Sequence, residues 1–246
     1  MYYVNMRPGE IRDAVRRNIP VLITAGSVEY HGEHLPIGTD WLIAESVARR
    51  VEQRVTCVVM PPLPFSSTMS WAAGPQDGEF DFAPDALQTY AKEVFSGILR
   101  VGFRRVYVMQ HHQGPEGMPW ITLRRAFELA RYELARQFPP EWGRVPMDEC
   151  PEPRLFEIFK IASIDSFSDY TGAREQQCPI GHAGRGETQL MLADYEPHVN
   201  MDDCQKTRPL PEWLRDAPAA SKADGEYWLD FCAEGWAREL GKEEKI

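Results

Sequence analysis

Apolar positions along the chain alternate between two spacings. Residues 6–19 open on Pro-Gly and then place Ile11, Ala14, Val15 and Ile19 at helical intervals, until Pro20 stops the pattern. The next residues, Val-Leu-Ile-Thr-Ala, form a short unbroken apolar run closed by Gly26. Its length and β-branched content predict a strand buried on both faces of a parallel sheet. After a polar loop over 27–40, the positions Leu42, Ile43, Val47, Val51 and Val55 predict an amphipathic helix with Asp40 near its start. A second strand is expected at 57–65, cut off by prolines. A loop with little periodicity follows, and then a helix from Pro84 to a terminal Gly102. A third strand runs through Arg-Val-Tyr-Val-Met-Gln into a polar loop, followed by a long helix over 121–138. The segment Leu-Phe-Glu-Ile-Phe-Lys-Ile-Ala-Ser-Ile (155–164) reads equally as strand or short helix. A second long loop over 165–186 leads into a helix beginning near Glu187.

Strand and helix therefore alternate repeatedly. That order predicts an α/β fold, a three-layer α/β/α sandwich around a mostly parallel sheet. No internal repeat, low-complexity segment or linker divides the 246 residues, so one domain over 1–246 is expected. Two features stand apart from it. Five prolines fall in 139–153, which reads as an irregular insertion, and the chain from about 202 reads as a polar tail with an amphipathic stretch near 221–241.

Composition narrows the function. Apolar residues make up 43% of the chain, too many for a disordered one. The net charge of −10 and the lack of a basic stretch disfavour nucleic acid and anionic membranes as partners. No apolar run is long enough to span a bilayer, and the polar N-terminus shows no signal peptide. Five scattered cysteines without a CxxC pair fit a reduced, cytoplasmic chain.

Five of the six histidines lie in three Gly-containing patches. The first, Gly26-Ser27-Val28-Glu29-Tyr30-His31-Gly32-Glu33-His34-Leu35-Pro36-Ile37-Gly38-Thr39-Asp40, gathers two His, two Glu and one Asp. The second is Gln110-His111-His112-Gln113-Gly114, and the third Gly181-His182-Ala183-Gly184-Arg185-Gly186-Glu187. All three border predicted strands or helices, where open α/β sheets keep their sites. Imidazole and carboxylate are ligands for Zn²⁺, Mn²⁺ or Fe²⁺, and the absence of cysteine from the first two patches points away from a structural zinc site. A single loop histidine is most often a surface or packing group; three such patches together make that reading weak. The Gly-Ser of the first patch is not a nucleophile turn, since no glycine closes it, and no phosphate-binding or dinucleotide-binding glycine signature is present.

These patches resemble the creatininase (creatinine amidohydrolase) family. Its first motif, Gly-Ser-x-Glu-x-His-Gly-x-His-Leu-Pro-x-Gly-Thr-Asp, matches residues 26–40 almost throughout, and its Gly-His-Ala-Gly-x-x-Glu-Thr matches 181–188. Its second motif, usually Asn-Gly-His-Gly-Gly-Asn, is met only in part by Gln110-His111-His112-Gln113-Gly114-Pro115. The resemblance runs from about residue 6 to about 201. It implies a three-layer fold, two divalent metal ions per chain (Zn²⁺ first, Mn²⁺ or Fe²⁺ as alternatives), a homo-oligomer such as a hexamer, and hydrolysis of a small cyclic substrate. By motif position, Glu29, His31, Asp40 and His112 match metal ligands, with Asp40 bridging the ions, and His182 matches a proton-moving histidine. A glutamate ligand of creatininase itself falls at Gly114, so Glu187 is expected to replace it, with Glu116 as runner-up. The substrate is either a cyclic amide or, as in the inosose-hydrolase branch that the second patch resembles more, a cyclic polyol ketone. Gln110, His111, Gln113, Arg185 and Trp71 are candidate substrate contacts, with Trp120 and Tyr170 as further candidate pocket aromatics. The lost ligand at Gly114 also leaves open a metal-binding scaffold without catalysis.

Overall fold

A computed structural model describes residues 1–242. The helix α1 (Pro8–Arg16) starts on Pro8, and the Arg7 N–H donates to the Glu10 carboxylate at 2.7 Å. The chain then enters β1 (Val21–Ala25), α2 (Thr39–Glu52), β2 (Val58–Val59), α3 (Pro84–Val101), β3 (Val106–Gln110), α4 (Met118–Ala135), β4 (Phe159–Ala162), α5 (Arg185–Tyr195) and α6 (Lys222–Leu240). The four strands form one sheet in the order β2-β1-β3-β4, and every pairing is parallel.

Alternation along the buried strands sends side chains to two separate cores. Val21, Ile23, Val106 and Val108 face α3 and α4, meeting Leu87, Phe95, Leu123 and Phe127. Leu22, Val59, Tyr107 and Met109 face the other way, onto α2, α5 and α6, meeting Val47, Leu190, Trp228 and Trp236. The result is the three-layer sandwich that the element order predicts.

Three expectations need correction or completion. The second strand is only two residues long, because Pro61, Pro62 and Pro64 remove the N–H groups a ladder needs. The chain still follows β1 beyond them, since the Leu63 N–H donates to Thr24 O and the Gly26 N–H to Leu63 O. The ambiguous segment 155–164 contains β4, on the sheet edge. The stretch after 202 is not a polar tail. Its amphipathic stretch, expected near 221–241, is α6, whose Trp228, Leu229, Cys232, Trp236 and Leu240 are buried in the second core. The 139–153 insertion contains two short 3-10 turns and otherwise no regular element.

Candidate metal centre and its pocket

Two helix starts and two strand ends converge above the C-terminal edge of the sheet. Gly26 makes this possible: a Cβ there would lie 2.6 Å from the backbone N of Trp41, so only glycine lets the end of β1 lie against the start of α2. Ser27 and Asp40 are thereby brought together, and the Ser27 hydroxyl donates to Asp40 Oδ2. Asp40 sits in the first turn of α2 and Glu187 in the first turn of α5, where helix N-termini favour negative charge. The Ala183 N–H donates to Glu187 Oε2 at 2.6 Å.

Two groups of donors share one residue. Glu29, Asp40 and His112 offer atoms within 4.8 Å of one another, and so do His31, Asp40 and Glu187. All five are buried. A third group, Glu29, His31 and His182, lies alongside. Nδ1 of His112 is 3.1 Å from Glu29 Oε2 and 3.0 Å from Asp40 Oδ2, while Nε2 faces Ser67 O at 3.0 Å. Nε2 of His31 is 3.1 Å from Asp40 Oδ1 and 3.4 Å from Glu187 Oε2, while Nδ1 faces Glu29 O at 3.0 Å. A backbone carbonyl can only accept, so one nitrogen of each ring is committed as a donor and the other is aimed at carboxylates.

This donor set fits divalent cations. Nε2 of His31 is buried and makes no hydrogen bond, although two carboxylates lie within 3.4 Å of it: they surround the nitrogen as ligands around a common ion do. Three buried carboxylates also meet in a pocket lined by no lysine or arginine. With protons alone to balance them, burial pushes the imidazoles down, but Asp40 and Glu187 outweigh it and drive His31 up to about 10. Asp40 and Glu29 likewise drive His112 up to about 11 against its burial. Burial pushes the Asp40 carboxyl up, yet His31 and His112 hold it well below the usual range.

Above the carboxylates opens a pocket of about 450 Å³, with Thr68, Met69, Trp71, Gln113, Ile180 and His182 on its walls. His182 packs edge-on against both Trp71 and Trp213, with ring centroids at 5.3 and 4.7 Å. Its Nε2 faces Tyr30 O at 2.9 Å and its Nδ1 is 3.8 Å from Glu29 Oε2. Burial, reinforced by the charge of His31, lowers its pKa to about 4.

Of the candidate substrate contacts, His111, Gln113 and Trp71 line this pocket. Gln110 does not: it is buried below, and its amide donates to His112 O at 3.1 Å. Arg185 lies outside, paired with both oxygens of Glu175 at 3.1 Å and lining a neighbouring depression. Trp120 donates its indole N–H to the same His112 carbonyl, and Tyr170 packs against Trp228 and Phe231, so neither lines the pocket. Glu116 is exposed and joins none of the donor groups found among the described residues. Sequence reasoning missed Ser27 and Ser67, which hold Asp40 and His112, and Thr68, Met69 and Ile180 on the walls. The loop carrying Ser67, Thr68 and Met69 has no periodicity that marks it.

The creatininase sequence profile (creatinine amidohydrolase) matches residues 5–240. The chain belongs to the creatininase family. The match reaches through α6, well past the residue-201 limit expected from the motifs. Among its relatives is the creatinine amidohydrolase of Pseudomonas putida, 25% identical over 251 residues, covering 91% of this chain and 89% of that protein. Another is the 3-dehydro-scyllo-inosose hydrolase of Thermotoga maritima, 25% identical over 215 residues. That alignment covers 86% of this chain but only 63% of the Thermotoga protein. A solved creatininase with Mn superposes with a TM-score of 0.74 at 22% identity, covering 97% of this chain and 96% of the other. The protein is thus a creatininase-family hydrolase, and the metal-ligand types gathered at its strand ends lie within the family match.

Proposed function

We propose that this creatininase-family hydrolase opens the ring of a small cyclic substrate, a cyclic amide or a cyclic polyol ketone, using two divalent cations. The observation that carries the proposal is Asp40, shared by two donor groups beneath a pocket of small-molecule size. Glu29, Asp40 and His112 hold one cation, and His31, Asp40 and Glu187 the other. Such ions, when bound, make a water acidic enough to attack and polarise the carbonyl it attacks. Mn²⁺ is the metal named for the structural relative; nitrogen and oxygen donors of this kind equally take Zn²⁺ or Fe²⁺.

The chain's own groups do the rest. His182, neutral at pH 7 and with Nε2 committed to Tyr30 O, presents a lone pair at Nδ1. Nδ1 takes a proton released on attack and returns it to the leaving atom as the ring opens. Trp71 and Trp213 pack edge-on against that imidazole and limit its rotation. Gln113 and Thr68 offer polar contacts to the substrate, with Met69, Trp71 and Ile180 as apolar walls. The reading of an inactive scaffold drew on Gly114 alone, and Glu187 supplies a carboxylate beside His31 and Asp40 in its place. Homo-oligomerisation, implied by the resemblance, belongs to the proposal and is checked by light scattering.

The test is a substrate panel on metal-loaded protein, comparing creatinine-like lactams with cyclic polyol ketones, with metal content measured in parallel. Two ions per chain and ring opening of one class are expected. Two bound ions with neither class turned over would overturn the substrate assignment, and a chain holding no divalent metal would overturn the mechanism.

A further inference from the structure

His182 is followed by a residue in a backbone conformation that side chains rarely adopt. Ala183 is fully buried and left-handed, at φ 53°, a region open to glycine but strained for alanine. Such strain persists only where neighbouring groups hold it, and here both backbone polar groups of Ala183 are held. Its N–H donates to Glu187 Oε2 at 2.6 Å. Its carbonyl accepts from the Thr188 hydroxyl at 3.1 Å.

The second of these bonds depends on the first patch. A threonine hydroxyl has one proton and a carbonyl can only accept, so that proton belongs to Ala183 O. Thr188 Oγ1 is then the acceptor for Nε2 of His34, 2.9 Å away, and the imidazole carries a proton on Nε2. His34, Thr188 and Ala183 are all buried, so no bulk solvent competes for either bond. His34 is anchored in turn, because its carbonyl accepts the Asn200 N–H at 2.9 Å. Two hydrogen bonds in series thus run from the loop after β1 to the turn that leads into α5.

That turn sets where His182 points. With Ala183 left-handed, the preceding imidazole enters the pocket, with Nε2 facing Tyr30 O and Nδ1 towards Glu29. We propose that Thr188 and His34 are positioning residues that hold the left-handed turn at Ala183 and so fix the placement and tautomer of His182. The inference deepens the proposed mechanism and rests on its assignment of His182 as the proton carrier. Neither Thr188 nor His34 lines the pocket, so their influence on His182 passes through the backbone of the turn.

The test follows the His182 imidazole in long-range proton–nitrogen correlation spectra of the full-length chain near pH 7, with and without Zn²⁺. Its signals are identified by their loss in H182Q. Wild type should show one tautomer, protonated at Nε2. T188V and H34L should show both tautomers in exchange. T188S and H34Q, which keep the hydroxyl and an N–H donor, should stay close to wild type. Should T188V fold poorly, H34L tests the same pair of bonds one step further from the turn. Glycine enters the left-handed region without strain, so on an A183G background T188V should shift the tautomer balance much less. On any substrate that the panel identifies, T188V should lower kcat about 10- to 100-fold with KM near wild type, because a displaced proton carrier slows only the chemical step. A wild type already mixed, a single Nε2-protonated form in both T188V and H34L, or an equal effect of T188V with alanine and glycine at 183 overturns the inference. The spectra need no substrate, so a failed substrate panel would remove the proposed function and leave this result readable.

Discussion

Burying three carboxylates side by side costs several kcal/mol unless opposite charge lies among them, and among the described residues lining this pocket histidines alone, or a cation bound there, could supply it. Asp40 concentrates this cost, since it belongs to both donor groups. Asp40→Asn is therefore expected to lower metal content at both positions, while metal-free Asp40→Asn unfolds at a temperature no lower than metal-free wild type. Metal analysis with thermal melts checks both halves, and full metal occupancy in the variant would remove Asp40 as the shared ligand. His34 behaves differently from its neighbours. Thr188 Oγ1 donates to Ala183 O and accepts from His34 Nε2 at 2.9 Å, so the buried Nδ1 has no partner. Burial, with the charge of His31 adding to it, lowers its pKa to about 4. Between about pH 6.5 and 4 the unfolded chain binds a proton here that the folded chain refuses, so stability falls as pH falls through that window. His34→Gln should lose less stability over the window, by on the order of 2 kcal/mol. Denaturant titrations at pH 7 and 4.5 measure it; identical pH slopes would exclude His34 as the source. The candidate donor groups were legible in sequence because their chemistry and spacing sit in one loop and two short motifs. Gln110 and Arg185 were not: strand alternation turns the first beneath the pocket, and the second is drawn off by Glu175, from a loop without a pattern.

Among the elements, β1, β3 and the helices α2 to α4 follow from hydrophobic spacing, since each has one strong period and a marked stop such as Pro20 or Gly102. The left-handed Gly102, at φ 115°, ends α3 as the sequence predicts. α6 matches the amphipathic stretch expected near 221–241, but its acidic and basic residues left it assigned to a polar tail; Trp228, Cys232, Trp236 and Leu240 recur every four residues and are all buried. Its packing depends on backbone proximity. A Cβ on Gly225 would lie 1.7 Å from Gln189 O, so the backbones of α5 and α6 come this close only because residue 225 is glycine. Gly97, inside α3, has nothing within 4 Å of its would-be Cβ. The same substitution should thus act oppositely at the two sites. Gly97→Ala is expected to stabilise by about 0.5–1 kcal/mol through reduced unfolded-state freedom. Gly225→Ala should destabilise by about 1–3 kcal/mol or more, and because α5 carries Glu187 it should also weaken metal binding. Urea unfolding of both variants decides, and an unaffected Gly225→Ala would mean the α5–α6 contact is looser than described.

At the scale of the whole molecule, the sheet, the two cores and the donor groups form one linked system. The candidate ligands come from the loop after β1, the start of α2, the end of β3 and the start of α5, so an ion bound there would tie together segments far apart in sequence. Unfolding separates these ligands, and metal binding therefore adds to folding stability by mass action. At a free metal concentration one hundred times the dissociation constant, a single ion contributes about 2.7 kcal/mol. For a chain of this length that corresponds to a melting shift of roughly 5–10 °C per ion. Chelation should lower the melting temperature by that amount or more, and returning Mn²⁺ should restore it in proportion to the logarithm of its concentration. The shift should be nearly absent in a Glu29→Gln/Glu187→Gln double variant, which removes one carboxylate from each donor group while leaving Asp40 and both cores intact. A wild-type chain whose melting temperature ignores chelator and metal alike would show that the convergence of these four segments is maintained by packing alone and that the carboxylates serve no ion.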